Sequence, residues 1–323
     1  MKATRIIFSL WWFIFTAVLA VPVFAGEQSK ELSIGYLKGL EITSAYSSAF
    51  LIIIPGSGPT DRDGNTPLGK SRIYERLARS ISSAYGISSL RVDKRGMFSS
   101  SAPNINPNAV TMRDYADDTR LWIDALRKEK GIKCVWLFGH SEGGLTAMLT
   151  AQQPEGICGL ILAATPGRKT GEILREQLKN NPSNAPLLSD AFTIIQMLEK
   201  GQTVGIEKIP TPLYGLFHPV VQNFLIDQMS YDPVNLIASI SLPILIIQGD
   251  EDIQVSLERD AKKLYKAAPN GELVVLPGVT HVLKQTASSS LVDNYMTYSD
   301  PNAPIAESVV QAVGKFIESH HYE

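Results

Sequence analysis

The segment Gly139-His140-Ser141-Glu142-Gly143 constrains this chain more than any other. It follows the apolar run Val135-Trp136-Leu137-Phe138 and precedes Gly144-Leu145-Thr146-Ala147-Met148-Leu149, which can continue as a helix. A short buried strand, a tight turn with small residues flanking a serine, and then a helix are the parts of a nucleophile elbow. Such a turn forces the serine into a strained backbone conformation, and a side chain at Gly139 or Gly143 would clash with neighbouring backbone. The hydroxyl then stands exposed beside a helix N-terminus, whose free N–H groups and dipole favour developing negative charge. The five residues alone would be a weak signal. The strand and helix around them make Ser141 a candidate nucleophile rather than part of an ordinary glycine-rich turn.

Apolar runs alternate with longer amphipathic stretches through the rest of the chain, the pattern of a mostly parallel sheet covered by helices on both faces, an α/β fold. The predicted strands are 50–54, 88–92, 135–138, 160–164, 244–248 and 273–276, rich in Val, Ile and Leu as expected of strands buried on both sides. The predicted helices are 73–84, 112–130, 144–153, 257–267 and 306–319. In the second, Tyr115, Thr119, Trp122, Ile123 and Leu126 recur at helical spacing and read as core packing. One or two antiparallel strands are expected within 31–49 at the sheet edge. The alternation breaks between Ala164 and Leu242, where 171–179, 191–200 and 217–229 read as helices separated by prolines and glycines. A long strandless segment between two sheet strands predicts a helical cap inserted at about 166–240, against the plainer reading of a loosely packed connector.

The first 25 residues read as a signal peptide. Lys2 and Arg5 open it, a nearly unbroken apolar run follows, and Val23-Phe24-Ala25 is a small-x-small cleavage site. The rival reading is an uncleaved membrane anchor, but the apolar run is short for a span and Pro22 before an alanine-ended site favours cleavage after Ala25. The expectation is a mature domain over 26–323, exported to a periplasm or the extracellular space, with no stable membrane insertion after cleavage. The formal net charge is −2, and no basic stripe is interleaved with aromatics, so nothing points to nucleic acid. Cys134 and Cys158 are the only cysteines. Each stands at the start of a predicted strand, so neighbouring strands would place both thiols at one end of the sheet. A disulfide and two buried free thiols are both compatible with that placement. They cannot form a metal site, since two cysteines without nearby histidines do not fill a tetrahedral shell.

A serine is a poor nucleophile at neutral pH unless a base takes its proton and a further group fixes the base's tautomer. His281, in the loop Pro277-Gly278-Val279-Thr280-His281 after the last predicted strand, is the candidate base. His320 and His321 sit in the tail, His218 in the cap, and His140 inside the elbow, where its side chain should point away from the hydroxyl. The acid should come from Gly249-Asp250-Glu251-Asp252. Asp252 is favoured because it lies far enough beyond the strand to turn back toward His281, whereas Asp250 should bond its own turn and Glu251 should be solvated. Acyl transfer also needs donors for an oxyanion. The backbone N–H groups of Glu142 and of Ser57, in Pro55-Gly56-Ser57-Gly58-Pro59, are the candidates, with the Glu142 side chain facing solvent or bonded locally.

In type, order and spacing, Gly139-His140-Ser141-Glu142-Gly143-Gly144, Gly249-Asp250-Glu251-Asp252 and the late His281 resemble the α/β-hydrolase superfamily, from about Phe50 onward. Residues 55–65 and Arg91-Val92-Asp93-Lys94-Arg95-Gly96 look like an esterase branch grouped with serine aminopeptidase-like hydrolases and acyl thioesterases. The chain departs from commoner relatives in having Pro55-Gly56 where they have His-Gly, and Met97-Phe98-Ser99 where many carry Gly-x-Ser. The resemblance implies a carboxylic ester hydrolase acting on a small acyl substrate through an acyl-enzyme, with no metal or organic cofactor. A peptidase or thioesterase is the alternative, and a non-catalytic binding protein on the same scaffold is the more distant one. Relatives that open epoxides or cleave haloalkanes carry aspartate at the elbow, which this chain does not. Asp61, Arg62 and Asp63 are expected to form a charge network beneath the oxyanion loop. An acidic cap patch would distinguish an aminopeptidase, and Glu172, Glu176 and Asp190 are too scattered in sequence to decide. Oligomeric state and acyl chain length are not encoded in these motifs.

Overall fold

The computed structural model describes residues 28–45, 47, 49–67, 69–106 and 109–320. The expected leader and His321 lie outside these residues. The described residues form ten strands: β1 Gln28–Ile34, β2 Leu37–Thr43, β3 Phe50–Ile54, β4 Asn65–Thr66, β5 Gly69–Lys70, β6 Ser88–Val92, β7 Val135–His140, β8 Ile157–Ala163, β9 Ile244–Gly249 and β10 Gly271–Leu276. Eight of them make one sheet in the order β1-β2-β6-β3-β7-β8-β9-β10, while β4 and β5 pair separately. The expected edge strands are β1 and β2, which pair antiparallel with each other, and β2 pairs antiparallel with β6. From β6 to β10 every pairing is parallel.

Strand alternation divides the core in two. On β3, Ile52 and Ile54 enter one apolar cluster with Trp122 and Leu126 of α2 (Met112–Lys130) and Met148 of α3 (Glu142–Thr150). Leu51 and Ile53 point the other way, against Leu77 and Ile81 of α1 (Ile73–Tyr85) and Val309 and Val313 of the final helix, Glu307–Ser319. The capping signals are ordinary and effective. Thr111 and Asp114 form a reciprocal capping box before α2, and Gly131 ends it at φ 69°. At the far end of the sheet from the elbow, Cys134 and Cys158 are joined in a disulfide between the starts of β7 and β8.

Between β8 and β9 lie α4 (Thr170–Asn180), α5 (Leu188–Glu199), α6 (Tyr214–Phe217), α7 (Pro219–Ser230) and α8 (Pro233–Ala238). The first four enclose their own apolar cluster, including Ile195, Leu198, Phe217 and Met229, separate from the two sheet cores.

The β4–β5 pair and α8 were not anticipated, the helix expected over 217–229 is divided into α6 and α7, and two later segments also differ from the sequence reading. The single helix expected over 257–267 is a wide π-type turn, Leu257–Ala261, followed by α9, Lys262–Ala267. There the buried Asp260 carboxylate accepts from the Ser256 and Gly167 amides and from Arg168, which draws the turn inward. A further helix, α10 (Leu291–Ser299), was not expected because its periodicity is inverted. Leu291, Val292, Tyr295 and Met296 are exposed, and Asn294 and Thr297 are its buried residues. The helix after it, Glu307–Ser319, is α11.

Candidate active site

Ser141 sits between β7 and α3 with φ 52° and ψ −121°, a conformation few non-glycine residues adopt. Its N–H donates to the Ala163 carbonyl at 2.9 Å and its carbonyl accepts from Gly144 N–H at 2.9 Å, so the turn is fixed from both sides. The flanking glycines are steric necessities. A Cβ on Gly139 would meet the Gly143 carbonyl oxygen at 2.5 Å, and one on Gly143 would lie 2.7 Å from the Pro55 carbonyl oxygen. Gly144, which the sequence reading did not single out, is equally tight because a Cβ there would overlap the Thr165 side chain.

Asp252 and His281 arrive on adjacent loops after β9 and β10. Asp252 Oδ2 and His281 Nδ1 are 2.9 Å apart. Asp252 Oδ1 accepts the Gln254 and Val255 amides at 2.8 and 2.9 Å, and Oδ2 also accepts from Gln248 Nε2 at 3.0 Å. Burial of this carboxyl favours the neutral acid, but His281 and the two amides outweigh it and hold the pKa below the ordinary aspartate value. Gln248, fully buried at the end of β9, was not anticipated as a support for the acid.

The two loops are stitched together. Glu251 N–H donates to the Val279 carbonyl at 3.2 Å and Gly278 N–H to Asp250 Oδ1 at 2.6 Å. Asp250 therefore does not bond its own turn. The two strands are neighbours in register, so its carboxylate reaches across to the loop that carries His281. Glu251 is likewise half-buried and accepts from the Ser289 hydroxyl at 2.6 Å instead of standing free in solvent.

His140 points beneath the site, its ring centroid 5.0 Å from that of His281. Tyr74 Oη accepts the Gly56 N–H at 2.8 Å, which leaves its proton for His140 Nδ1 at 2.8 Å. His140 Nε2–H then donates to the His281 carbonyl at 2.8 Å. Burial first, and the neighbouring His281 second, push the His140 pKa down to about 3, so this ring stays neutral.

The loop 55–59 runs directly against the elbow, close enough that a Cβ on Gly56 would touch the Ser141 Cβ at 3.4 Å. Among the described residues the Ser57 N–H has no hydrogen-bond partner, while the Ser57 carbonyl accepts from the Thr60 hydroxyl at 2.8 Å. Glu142 is the first residue of α3, where N–H groups lack a helical acceptor. Its side chain is neither exposed nor bonded within its own turn. It is buried, with Oε1 3.3 Å from Lys94 Nζ and Oε2 accepting from Gln228 of α7 at 2.9 Å. The cap covers the elbow, and that removes the solvent such a carboxylate would otherwise take. Asp61, Arg62 and Asp63 do form a network. Arg62 pairs with Glu31, Asp63 with Arg91, and Asp61 Oδ1 accepts the Asp63 and Asn65 amides at 2.9 and 2.7 Å.

Two cavities meet at Ser141. One, of 430 Å³, lies under the cap and is walled by apolar groups such as Leu145, Ile173, Leu216, Val221, Phe224 and Leu225. The other, of 310 Å³, is lined by Ser141, His281, Tyr74, Thr60 and Tyr298. The larger wall carries four charged side chains, and each is countered. Lys94 faces Glu142, Arg95 pairs with Asp114 at 2.6 Å and Asp118 at 2.5 Å, and Arg168 pairs with Asp260 at 2.7 Å and Glu176 at 2.6 Å. Glu142 is the only carboxylate among the described residues lining that cavity. Neither Glu172 nor Asp190 reaches it, and Glu176 is engaged by Arg168 and Arg259. His218 caps α7 and His320 stacks near Phe316, so neither joins the site.

Residues 69–199 match the family model of the S33 serine aminopeptidases. Esterase EstD of Thermotoga maritima is 26% identical over 275 residues, covering 83% of this chain, and the matched region spans 63% of EstD, less than two thirds of its length. A bifunctional esterase/perhydrolase of Acinetobacter calcoaceticus is 25% identical over 58% of this chain and 73% of its own. Among solved structures, Est1E from Butyrivibrio proteoclasticus, with ferulic acid bound, superposes with a TM-score of 0.57 at 17% identity, covering 90% of this chain and 98% of Est1E. A proline iminopeptidase from Mycobacterium smegmatis gives 0.56 at 13% identity, over 91% and 99% of the two chains. At these identities the structural likeness speaks for the fold alone. With its strand order, its elbow and these matches, the chain has the α/β-hydrolase fold.

Proposed function

We propose that this chain is a serine carboxylic ester hydrolase working through an acyl-enzyme. The observation that carries the reading is the Asp252–His281 pair, 2.9 Å apart, whose imidazole lines the same cavity as the strained Ser141. In this reading Ser141 Oγ attacks the ester carbonyl and its proton passes to His281 Nε2. Asp252 holds the imidazole in the required tautomer and offsets its charge. The Ser57 and Glu142 amides receive the oxyanion. Collapse expels the alcohol, which takes the proton from His281, and a water then repeats the sequence to release the acid. Because the alcohol must be protonated by His281, it occupies the 310 Å³ cavity that His281 lines, and the acyl group occupies the apolar 430 Å³ cavity.

The same wall argues for esters over aminoacyl peptides. A substrate α-ammonium needs a carboxylate to meet it, and the one carboxylate that lines the larger cavity among the described residues is already matched by Lys94. We also propose export, on the leader-like first 25 residues together with a disulfide suited to an oxidising compartment. Among the described residues no helix is long and apolar enough to cross a membrane.

A p-nitrophenyl ester chain-length series, run beside aminoacyl anilides and acyl-CoA on wild type and Ser141→Ala, tests the function. Esters should turn over fastest, and Ser141→Ala should reduce kcat by at least roughly 10⁴-fold. Folded wild type that a fluorophosphonate fails to label at Ser141 is not a serine hydrolase.

A further inference from the structure

We propose that Lys94 is a positioning residue of the oxyanion hole: it orients and polarises the peptide that supplies the Ser57 N–H. This rests on the serine-hydrolase reading above. The Gly56 carbonyl and the Ser57 N–H belong to one planar peptide unit and point in opposite directions. Lys94 Nζ donates to that carbonyl at 2.7 Å, and the N–H on the far side is the one left without a partner among the described residues. Tyr74 Oη holds the Gly56 N–H, which belongs to the preceding peptide unit, at 2.8 Å, so the chain is held on both sides of the Gly56 Cα and the Gly56–Ser57 peptide resists rotation as charge develops on the substrate. A cation on the carbonyl oxygen also draws electron density through the amide, and in a buried setting that makes the N–H a stronger donor.

Lys94 is itself held for this task. It follows β6, is 7% exposed, and stands over the Tyr115 ring with Nζ 5.6 Å from the centroid. Its charge is met by the carboxylate of Glu142, the residue whose backbone supplies the second candidate donor. One buried ion pair thus ties the loop 55–59 to the start of α3. Gln228 Nε2, on the other Glu142 oxygen at 2.9 Å, carries the same tie into the cap. Lys94 is already paired with Glu142, which separates this role from binding an acidic acyl group.

Lys94→Met tests the role, with Lys94→Gln as the variant that restores a neutral donor. On a short p-nitrophenyl ester, Lys94→Met should lower kcat by roughly 10²-fold with KM little changed, the size of losing one oxyanion donor. Affinity for a trifluoromethyl ketone, which forms an oxyanion on Ser141, should fall by a similar factor, while an unreactive ester analogue binds as before. Lys94→Gln should recover part of both losses, and it is read in the same way should Lys94→Met fail to fold. Variants matching wild type in kcat and ketone affinity, or changing KM alone, overturn the assignment. A wild type that is active and labelled at Ser141 while the variants stay at parity removes only the role of Lys94. A wild type that is neither active nor labelled removes the serine-hydrolase reading instead.

Discussion

The floor and the roof of the candidate active site are built by different rules. The floor belongs to the sheet: Ser141, Asp252 and His281 follow β7, β9 and β10, parallel strands whose residues face two continuous cores. Each candidate catalytic side chain is over-determined there, by a glycine that admits no Cβ, by amides aimed at a carboxylate, or by one loop bonded to the next. The roof has its own small core and meets the floor through polar clips, among them Arg168–Asp260, Gln228–Glu142 and the Met112 amide on Asp227 at 2.7 Å, and through the Phe224 ring of α7 against Tyr115. The floor is therefore fixed by many contacts within the sheet and its loops, while the roof is tied to it at fewer points.

The largest test of that division is Asp252→Asn. An amide in that position favours the wrong imidazole tautomer, and kcat should fall by roughly 10⁴-fold. The loss should be the same for short and long acyl chains, since the floor does not read the acyl group. A chain-length series on the variant checks this, and a loss that grows or shrinks with chain length would mean that roof and floor are not separable. The smaller, complementary test is Val221→Trp in the roof, where α7 meets the cavity. Filling that space should cut kcat/KM for the longest accepted ester by roughly 10–200-fold, the scale of a pocket misfit, and leave the shortest ester near wild type.

The same division explains what could be read from the sequence. The floor was legible because its signals are local. Buried parallel strands are runs of Val, Ile and Leu, and the elbow needs small residues at fixed offsets from Ser141, so strand, turn and helix fall in a single window. Acid and base candidates could be placed because loops follow strands. Residues recruited across the fold left no such trace. Gln248 looks like one more strand residue, and Glu142 looks solvated until a helix some 86 positions later lays Gln228 on it. Asp250 was misread for the same reason, since its partner Gly278 is a neighbour only through the β9–β10 register. In α10 the exposed Leu291 and Val292 against the buried Asn294 reverse the polarity that sequence periodicity relies on.

The smallest expected effect lies beneath the floor, at His140, and it is read in stability rather than in rate. Burial depresses this imidazole to about 3, against 6.5 for the exposed ring. Below pH 6.5 the unfolded chain takes up a proton that the folded chain refuses, so stability is fully present above that value and is lost as the pH falls toward 3. The slope approaches one proton, about 1.4 kcal/mol per pH unit. Asp252, whose pKa lies below the ordinary carboxylate value, adds its own loss only at lower pH, as the medium falls through the carboxylate range. His140→Asn keeps an acceptor for the Tyr74 hydroxyl but removes the titrating group and the bond to the His281 carbonyl. At pH 8 the variant should lose about 1 kcal/mol for that bond. Between pH 6 and 4 its denaturation midpoint should decline less steeply than that of wild type, by the equivalent of one proton. Urea titrations at several pH values measure both quantities. Equal slopes would show that the ring under the elbow reaches water, and the contrast between a sealed floor and an adaptable roof would not hold.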